Sequence, residues 1–147
     1  MDFSHTEEQQ MLQESVQKFV QKSYDFDTRN QIIASEKGYS EENWQLFAEL
    51  GWLTVPFDEE DGGFGGSVVD LIVMMEEFGK AMLVEPFTPT TVIGGGLISA
   101  LGSAEQKAEL LPKIMEGTCS WPVLTPKPAV VIIWRVQKQA PSSRAIR

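Results

Sequence analysis

Several stretches of the chain place apolar residues at helical spacing behind a residue suited to cap a helix. Leu12, Val16, Phe19 and Val20 follow Ser4-His5-Thr6-Glu7, a capping box in which the serine oxygen and the glutamate three residues on satisfy each other's backbone N–H groups. A helix from about 5 to 22 is predicted. Ser40 caps a second one, with Trp44, Phe47, Ala48 and Leu50 on one face and Gly51 supplying the left-handed residue that ends it. Trp52 to Phe57 read as extended, and Gly62-Gly63-Phe64-Gly65-Gly66 as a flexible turn. Ser67-Val68-Val69-Asp70 then caps a helix whose expected buried face is Leu71, Ile72, Met75, Phe78 and Met82. Pro86 and Pro89 separate it from a short apolar helix, Thr91 to Leu101, stopped by Gly102. The last helix opens with a Ser103/Gln106 capping box, is interrupted or kinked at Pro112 and ends at Gly117. No alternating strand pattern precedes residue 118. The body is expected to be all-α, a helical bundle.

Composition narrows the class. A chain of 147 residues and 16.4 kDa has room for one domain. With 42% hydrophobic and 22% charged residues it is globular in make-up. A net charge of -9 and a pI near 4.6 repel phosphate backbones, which argues against nucleic acid and anionic membrane surfaces as partners. One cysteine, Cys119, and one histidine, His5, assemble no soft metal site. Met1-Asp2-Phe3-Ser4 lacks the basic flank and apolar run of a signal peptide, and no apolar stretch has the length of a membrane helix. The expectation is a cytoplasmic, metal-free protein.

Charge is unevenly spread. All 21 acidic residues and seven basic ones fall in 1–121, whereas 122–147 hold five basic residues, no acid, and four of the eight prolines. Such a shift marks a boundary. Two segments are read: a helical domain over 1–121 and a basic, proline-containing tail over 122–147 that is non-native or disordered.

The candidate chemistry is thin. The glycine cluster Gly62 to Gly66 lacks the preceding strand and the Gly-Lys-Ser/Thr ending of a phosphate loop, so a structural turn is preferred. Of the carboxylate pairs Glu59/Glu60 and Glu76/Glu77, Glu76 stands four residues before Lys80, the ordinary spacing of a surface ion pair, and Glu77 stays open. Gly94-Gly95-Gly96 in an apolar helix costs roughly 1 kcal/mol per glycine. Close helix packing explains that better than a groove shaped for a ligand. His5 reads as solvated, and Cys119 has no nearby base. No self-contained catalytic set is present.

Three runs nevertheless fall in a telling order: Phe47-Ala48-Glu49-Leu50-Gly51-Trp52-Leu53-Thr54-Val55-Pro56, then Glu59-Glu60-Asp61-Gly62-Gly63-Phe64-Gly65-Gly66, then Met75-Glu76-Glu77-Phe78-Gly79-Lys80. With Gly102-Ser103, Gln106-Lys107, Leu111-Pro112 and Glu116-Gly117 they resemble the N-terminal domain of acyl-CoA dehydrogenases. Met1-Asp2-Phe3-Ser4 and the Val84-Glu85-Pro86-Phe87 with Gly94-Gly95-Gly96 segment look closest to the branch that includes the small subunit of pimeloyl-CoA dehydrogenase; Asp58 departs from an expected proline.

The resemblance implies an enzyme in which this domain, a β-domain and a second helical domain enclose FAD and dehydrogenate an acyl-CoA thioester. The catalytic glutamate lies in the third domain, so no catalytic residue is expected in this chain. It also implies that Glu77, Thr91, Gly94, Gly95 and Gly96 match one wall of the acyl-tail pocket, and that the protein assembles with a like or large subunit. Faces around Trp44, Phe64 and Trp121 are expected to lie bare without the other domains. The isolated chain is expected to bind no FAD and to be inactive. A non-catalytic helical module that packs against partner subunits is the alternative, while a lone acyl-CoA binder is disfavoured by the acidic body.

The family's flavin-binding stretch is due after Trp121, where the chain reads Pro122-Val123-Leu124-Thr125-Pro126-Lys127 instead. Rebuilding each codon from the last base of one and the first two of the next restores it. Trp121–Pro122 must then encode Ala, since TGG before CC contains GCC. Val123–Leu124 onward allow Ala, Tyr, Ala or Thr, and Glu, and Ala129–Val130 through Trp134–Arg135 allow Ser, Arg, Tyr, Asn, Leu and Ala. The tail is expected to be a translated frameshift.

Overall fold

The computed structural model describes residues 4–119, and within them the chain forms α1 (Glu7–Ser23), α2 (Phe26–Ala34), α3 (Glu41–Glu49), α4 (Val68–Lys80), α5 (Gly96–Leu101) and α6 (Ala104–Met115). Side-chain caps set the starts of α1, α2, α3, α4 and α6. A 3₁₀ turn spans Glu59–Asp61 and a π-helix spans Thr88–Gly95. Among the described residues there is no strand, so the all-α bundle is what is observed. None of these helices is long and apolar enough to cross a membrane. The expectations for the tail, and for Trp121, lie outside the described residues.

The boxes at Ser67/Asp70 and Ser103/Gln106 cap α4 and α6 as read, and Ser40 accepts the Asn43 N–H at the start of α3. The cap of α1 is Thr6 rather than Ser4, closing a box with Gln9 and leaving Glu7 and Glu8 in the first turn, where the helix dipole favours acid. Helix α2 was not anticipated. Asp25 caps it by accepting the Thr28 N–H, but it buries no residue and so shows no apolar period to read.

Two clusters of buried side chains hold the described residues together. The larger joins Val16 and Phe19 of α1, Trp44 and Phe47 of α3, Met74 and Phe78 of α4, and Tyr24, Trp52, Leu53, Val55 and Phe87 from the connections. The smaller gathers Phe57, Ile98, Leu111, Ile114 and Met115. The segment 52–57 is wound into successive turns, not extended: the Thr54 N–H donates to the Gly51 carbonyl at 3.1 Å and the Phe57 N–H to the Thr54 carbonyl at 3.2 Å. Turns let Trp52, Leu53, Val55 and Phe57 all drop inward, which the alternation of a strand forbids.

The buried face of α4 is also corrected. Val73, Met74, Glu77 and Phe78 are buried, whereas Ile72, Met75 and Met82 are exposed. From Val68 to Met75 only Asp70 is polar, so apolar spacing selects no face; packing on α1 does. The stretch expected as one helix from Thr91 is a π-helix starting at Thr88 that hands over to α5. Pro89 falls at its N-terminal end, where a missing N–H leaves nothing unpaired. Pro112 does not interrupt α6, which continues to Met115, with the Glu116 N–H donating to the Pro112 carbonyl at 2.8 Å.

Candidate functional site

Glu77 is the one sequence-flagged carboxylate that folding buries, 5% exposed on the α1 side of α4. Its Oε1 accepts from Gln13 Nε2 at 2.8 Å, Gln17 Nε2 at 3.0 Å and Lys80 Nζ at 2.8 Å. Lys80 also pairs with Glu76 at 3.0 Å, the surface ion pair its spacing suggested. Burial pushes the Glu77 carboxyl upward, but the hydrogen bonds from Lys80, Gln17 and Gln13 together outweigh it and hold the group below its ordinary 4.5. A carboxylate so held is a poor proton acceptor. What it does chemically is to tie α1 to α4.

That arrangement fixes a pH dependence. Because the folded value is depressed, the stabilisation by Glu77 is present above the unfolded value near 4.5 and is lost as pH falls through the folded one. Glu77→Gln is expected to destabilise by about 1–2 kcal/mol at neutral pH. Thermal melts of variant and wild type at a series of pH values check this: the gap should narrow as pH falls below the unfolded value near 4.5 and through the depressed folded one, and a gap that stays constant would reject the assignment.

Thr91, Gly94 and Gly95 share the π-helix and are buried, and Gly96 opens α5 half-buried. None of the hydrogen bonds of Glu77 reaches them. A Cβ on Gly95 would stand 2.4 Å from the Phe57 ring, so this glycine admits the aromatic of the smaller core, while a Cβ on Gly96 meets nothing within 4 Å. Thr91 is fully buried, and its Oγ1 has no partner among the described residues. Single-turn π-helical irregularities concentrate at functional sites.

The glycine cluster is not a flexible turn. Gly63, Phe64, Gly65 and Gly66 donate their N–H groups to the carbonyls of Asp58, Thr54, Phe57 and Val55 at 2.7–3.1 Å. No N–H is left there to cradle a phosphate. Glu59 and Glu60 are exposed neighbours on the 3₁₀ turn, and Asp61 accepts Ser99 Oγ at 2.9 Å with Lys107 at 3.5 Å, pinning α5 and α6. Trp44, expected bare, is 2% exposed in the larger core, while Phe64 is 67% exposed. Among the described residues no group of His, Cys, Asp and Glu could hold a metal ion.

Two clefts remain. One of about 410 Å³ lies between α3 and α6, lined by Gln45, Glu49, Thr54, Gly62, Met115 and Glu116 among others. Another of about 150 Å³ sits at the C-terminal end of α4 and reaches Glu85. Glu85, only 5% exposed, escaped the candidate list because a lone Glu between Val84 and Pro86 has no partner in sequence; Asn43 Nδ2 donates to it at 2.9 Å from 42 residues away. Nearby Tyr24 accepts the Val84 N–H at 3.0 Å, and its phenol is pushed well up, first by burial and further by the charge of Glu85.

Comparison with known proteins bears on what these clefts belong to. The profile of the acyl-CoA dehydrogenase N-terminal domain matches residues 6–118. The acyl-CoA dehydrogenase IpdE2 of Mycobacterium tuberculosis is 33% identical over 113 residues, taking in 76% of this chain and 35% of that protein. The acryloyl-CoA reductase (NADH) of Anaerotignum propionicum is 30% identical, over 80% of this chain and 29% of its own. Among solved structures, the Tcur3481-Tcur3483 steroid ACAD superposes with a TM-score of 0.66 at 25% identity, covering 82% of this chain and 32% of that one. The ChsE4-ChsE5 complex of Mycobacterium tuberculosis gives a TM-score of 0.74 over 82% of this chain and 33% of its own, and at 22% identity is a likeness of fold. The chain spans about a third of the length of the curated relatives it matches.

Proposed function

Because this chain belongs to the acyl-CoA dehydrogenase family, matching its N-terminal domain, we propose that it is the first helical domain of an FAD-dependent enzyme that introduces an α,β double bond into an acyl-CoA thioester. The observation that carries this reading is the family match over residues 6–118, laid on a bundle with the fold of that domain. The domain's part is to pack against the others and to offer the Thr91–Gly96 stretch as one wall of the acyl pocket, with Glu77 holding α4 in place on α1. The chain acts together with a like or a large subunit. The ChsE4-ChsE5 relative is itself a complex.

The described residues do not fit the flavin on their own. Both clefts are lined by carboxylates, Glu49 and Glu116 in one and Glu85 in the other, which repel a pyrophosphate, and the glycine turn has its N–H groups bonded internally. The flavin stretch that the family places after Trp121 would be restored by the shifted reading frame. On this account residues 122–147 carry no function of their own.

Expression tests both parts together. The 147-residue chain should purify colourless and reduce no electron acceptor with any acyl-CoA. Inserting one G after the Trp121 codon should instead yield a longer, yellow protein. Stoichiometric flavin in the short chain would overturn the division of labour, and an early stop in the shifted frame would overturn the frameshift. The exposed apolar residues Val68, Ile72 and Met75 on α4 favour the second reading, a packing module without catalysis. A long product that stays colourless would select it.

A further inference from the structure

Helix α4 is apolar on two opposite sides. Val73, Met74 and Phe78 are buried toward α1, while the outer side presents Val68, Ile72, Met75, Gly79 and, just past the helix end, Met82. Val68, Val69, Ile72, Met75 and Met82 are five of the thirteen large hydrophobic residues that the described chain leaves exposed, at 72%, 47%, 58%, 36% and 54%. A helix that is hydrophobic all round is ordinarily covered all round. The outer positions follow one another at four-, three-, four- and three-residue spacing, the seam by which one helix packs on another.

Charge and shape together point to what covers the stripe. Residues 1–121 hold 21 acidic against seven basic residues, yet the stripe itself is uncharged: Asp70 is turned to the Ser67 cap, and Glu76 pairs with Lys80 at 3.0 Å. A basic partner would gain nothing by choosing a neutral face of an acidic body, whereas an equally acidic partner can approach closely only at such a face. Gly79 leaves a gap in the seam, with nothing within 4 Å of where its Cβ would stand, and Val68 projects eleven residues before it. Turned end for end, a second α4 sets each Val68 over the other copy's Gly79 and each Ile72 against the other copy's Met75, so the stripe fits itself about a two-fold axis. The five exposed side chains offer on the order of 500 Å² per copy, and two copies would bury roughly 1,000 Å², the lower bound of a specific interface.

We infer that the outer stripe of α4 is a self-association surface, through which two copies of this chain pair antiparallel, α4 on α4. The pairing goes beyond the family reading and needs neither flavin nor acyl-CoA, so its failure would leave that reading standing.

Sedimentation equilibrium of the whole chain tests it. A monomer–dimer equilibrium with a dissociation constant on the order of 10–100 µM is expected, as suits an interface of that size. Raising the salt from about 50 to about 500 mM should tighten it several-fold, because screening relieves the repulsion between two acidic copies and leaves the apolar seam intact. Ile72→Glu should weaken it at least about tenfold by burying a charge in the seam. Gly79→Leu should do the same, and since its side chain points into open space the monomer should stay folded; that variant decides if Ile72→Glu does not fold. Phe64→Asp, at an exposed ring that lies over Gly51 at the end of α3, should leave the dimer unchanged. Salt that weakens the pairing, a dimer that survives both α4 variants, or one that Phe64→Asp dissolves instead would overturn the assignment. A wild-type chain still monomeric at about 200 µM would overturn it as well, and would leave the stripe to a different polypeptide.

Discussion

Trp52→Ala is expected to lower the thermal midpoint by roughly 15–25 °C, the largest effect of any single truncation in this chain. Trp52 is 1% exposed, and its ring lies 5.6 Å from that of Phe19, 5.0 Å from Phe47 and 5.7 Å from Phe78. It is where α1, α3 and α4 meet. Removing it forfeits the transfer of a large apolar side chain, leaves a cavity, and deletes three ring contacts, together about 3–5 kcal/mol. Against a total stability of about 5–15 kcal/mol, that is a large share. Circular dichroism melts measure it, and Phe64→Ala, at a ring 67% exposed, should move the midpoint little. A Trp52→Ala chain that melts within a few degrees of wild type would show that the aromatic cluster is not what joins the helices.

How much of this was legible in the sequence depends on how local the cause is. Ser40, Ser67 and Ser103 act on N–H groups three residues away, so the starts of α3, α4 and α6 could be read directly. Gly51 and Gly117 end helices in left-handed conformations for the same local reason. Helix α2 has no fully buried residue and touches the larger core through Ile32, so it left no periodic trace. The face of α4 was decided by Gln13 and Gln17, 64 and 60 residues before Glu77. The burial of Trp44 and the pairing of Glu85 with Asn43 are likewise long-range facts. As for the candidate site, the sequence named Glu77 and the Thr91–Gly96 stretch through the family resemblance; it did not reveal that the carboxylate is held by three donors or that the stretch is π-helical.

The glycines make the sharpest case, because the same residue type serves opposite purposes within a few helical turns. Gly63→Ala is expected to disrupt the 54–66 loop and destabilise the chain by several kcal/mol, about as much as a core truncation. A Cβ there would stand 2.1 Å from the Phe57 carbonyl oxygen and 2.5 Å from its carbonyl carbon, and backbone cannot swing aside as a side chain can. The Gly63 N–H donates to Asp58 and the Gly65 N–H to Phe57 itself, so relieving the clash breaks the hydrogen bonds that fold the loop onto 54–58. Phe57 in turn fills the smaller core against Ile98, Leu111, Ile114 and Met115, and its ring abuts Gly95. The damage should therefore spread to α5 and α6 before α1. Hydrogen exchange resolves the two: protection should fall at Ile98 and Ile114 more than at Val16. Gly96→Ala, where a Cβ meets nothing within 4 Å and the backbone is helical, should instead stabilise by up to ~1 kcal/mol. If Gly63→Ala folds as stably as Gly96→Ala, the close approach of the glycine loop to Phe57 is not what those residues are for, and a ligand role for the loop would return to consideration.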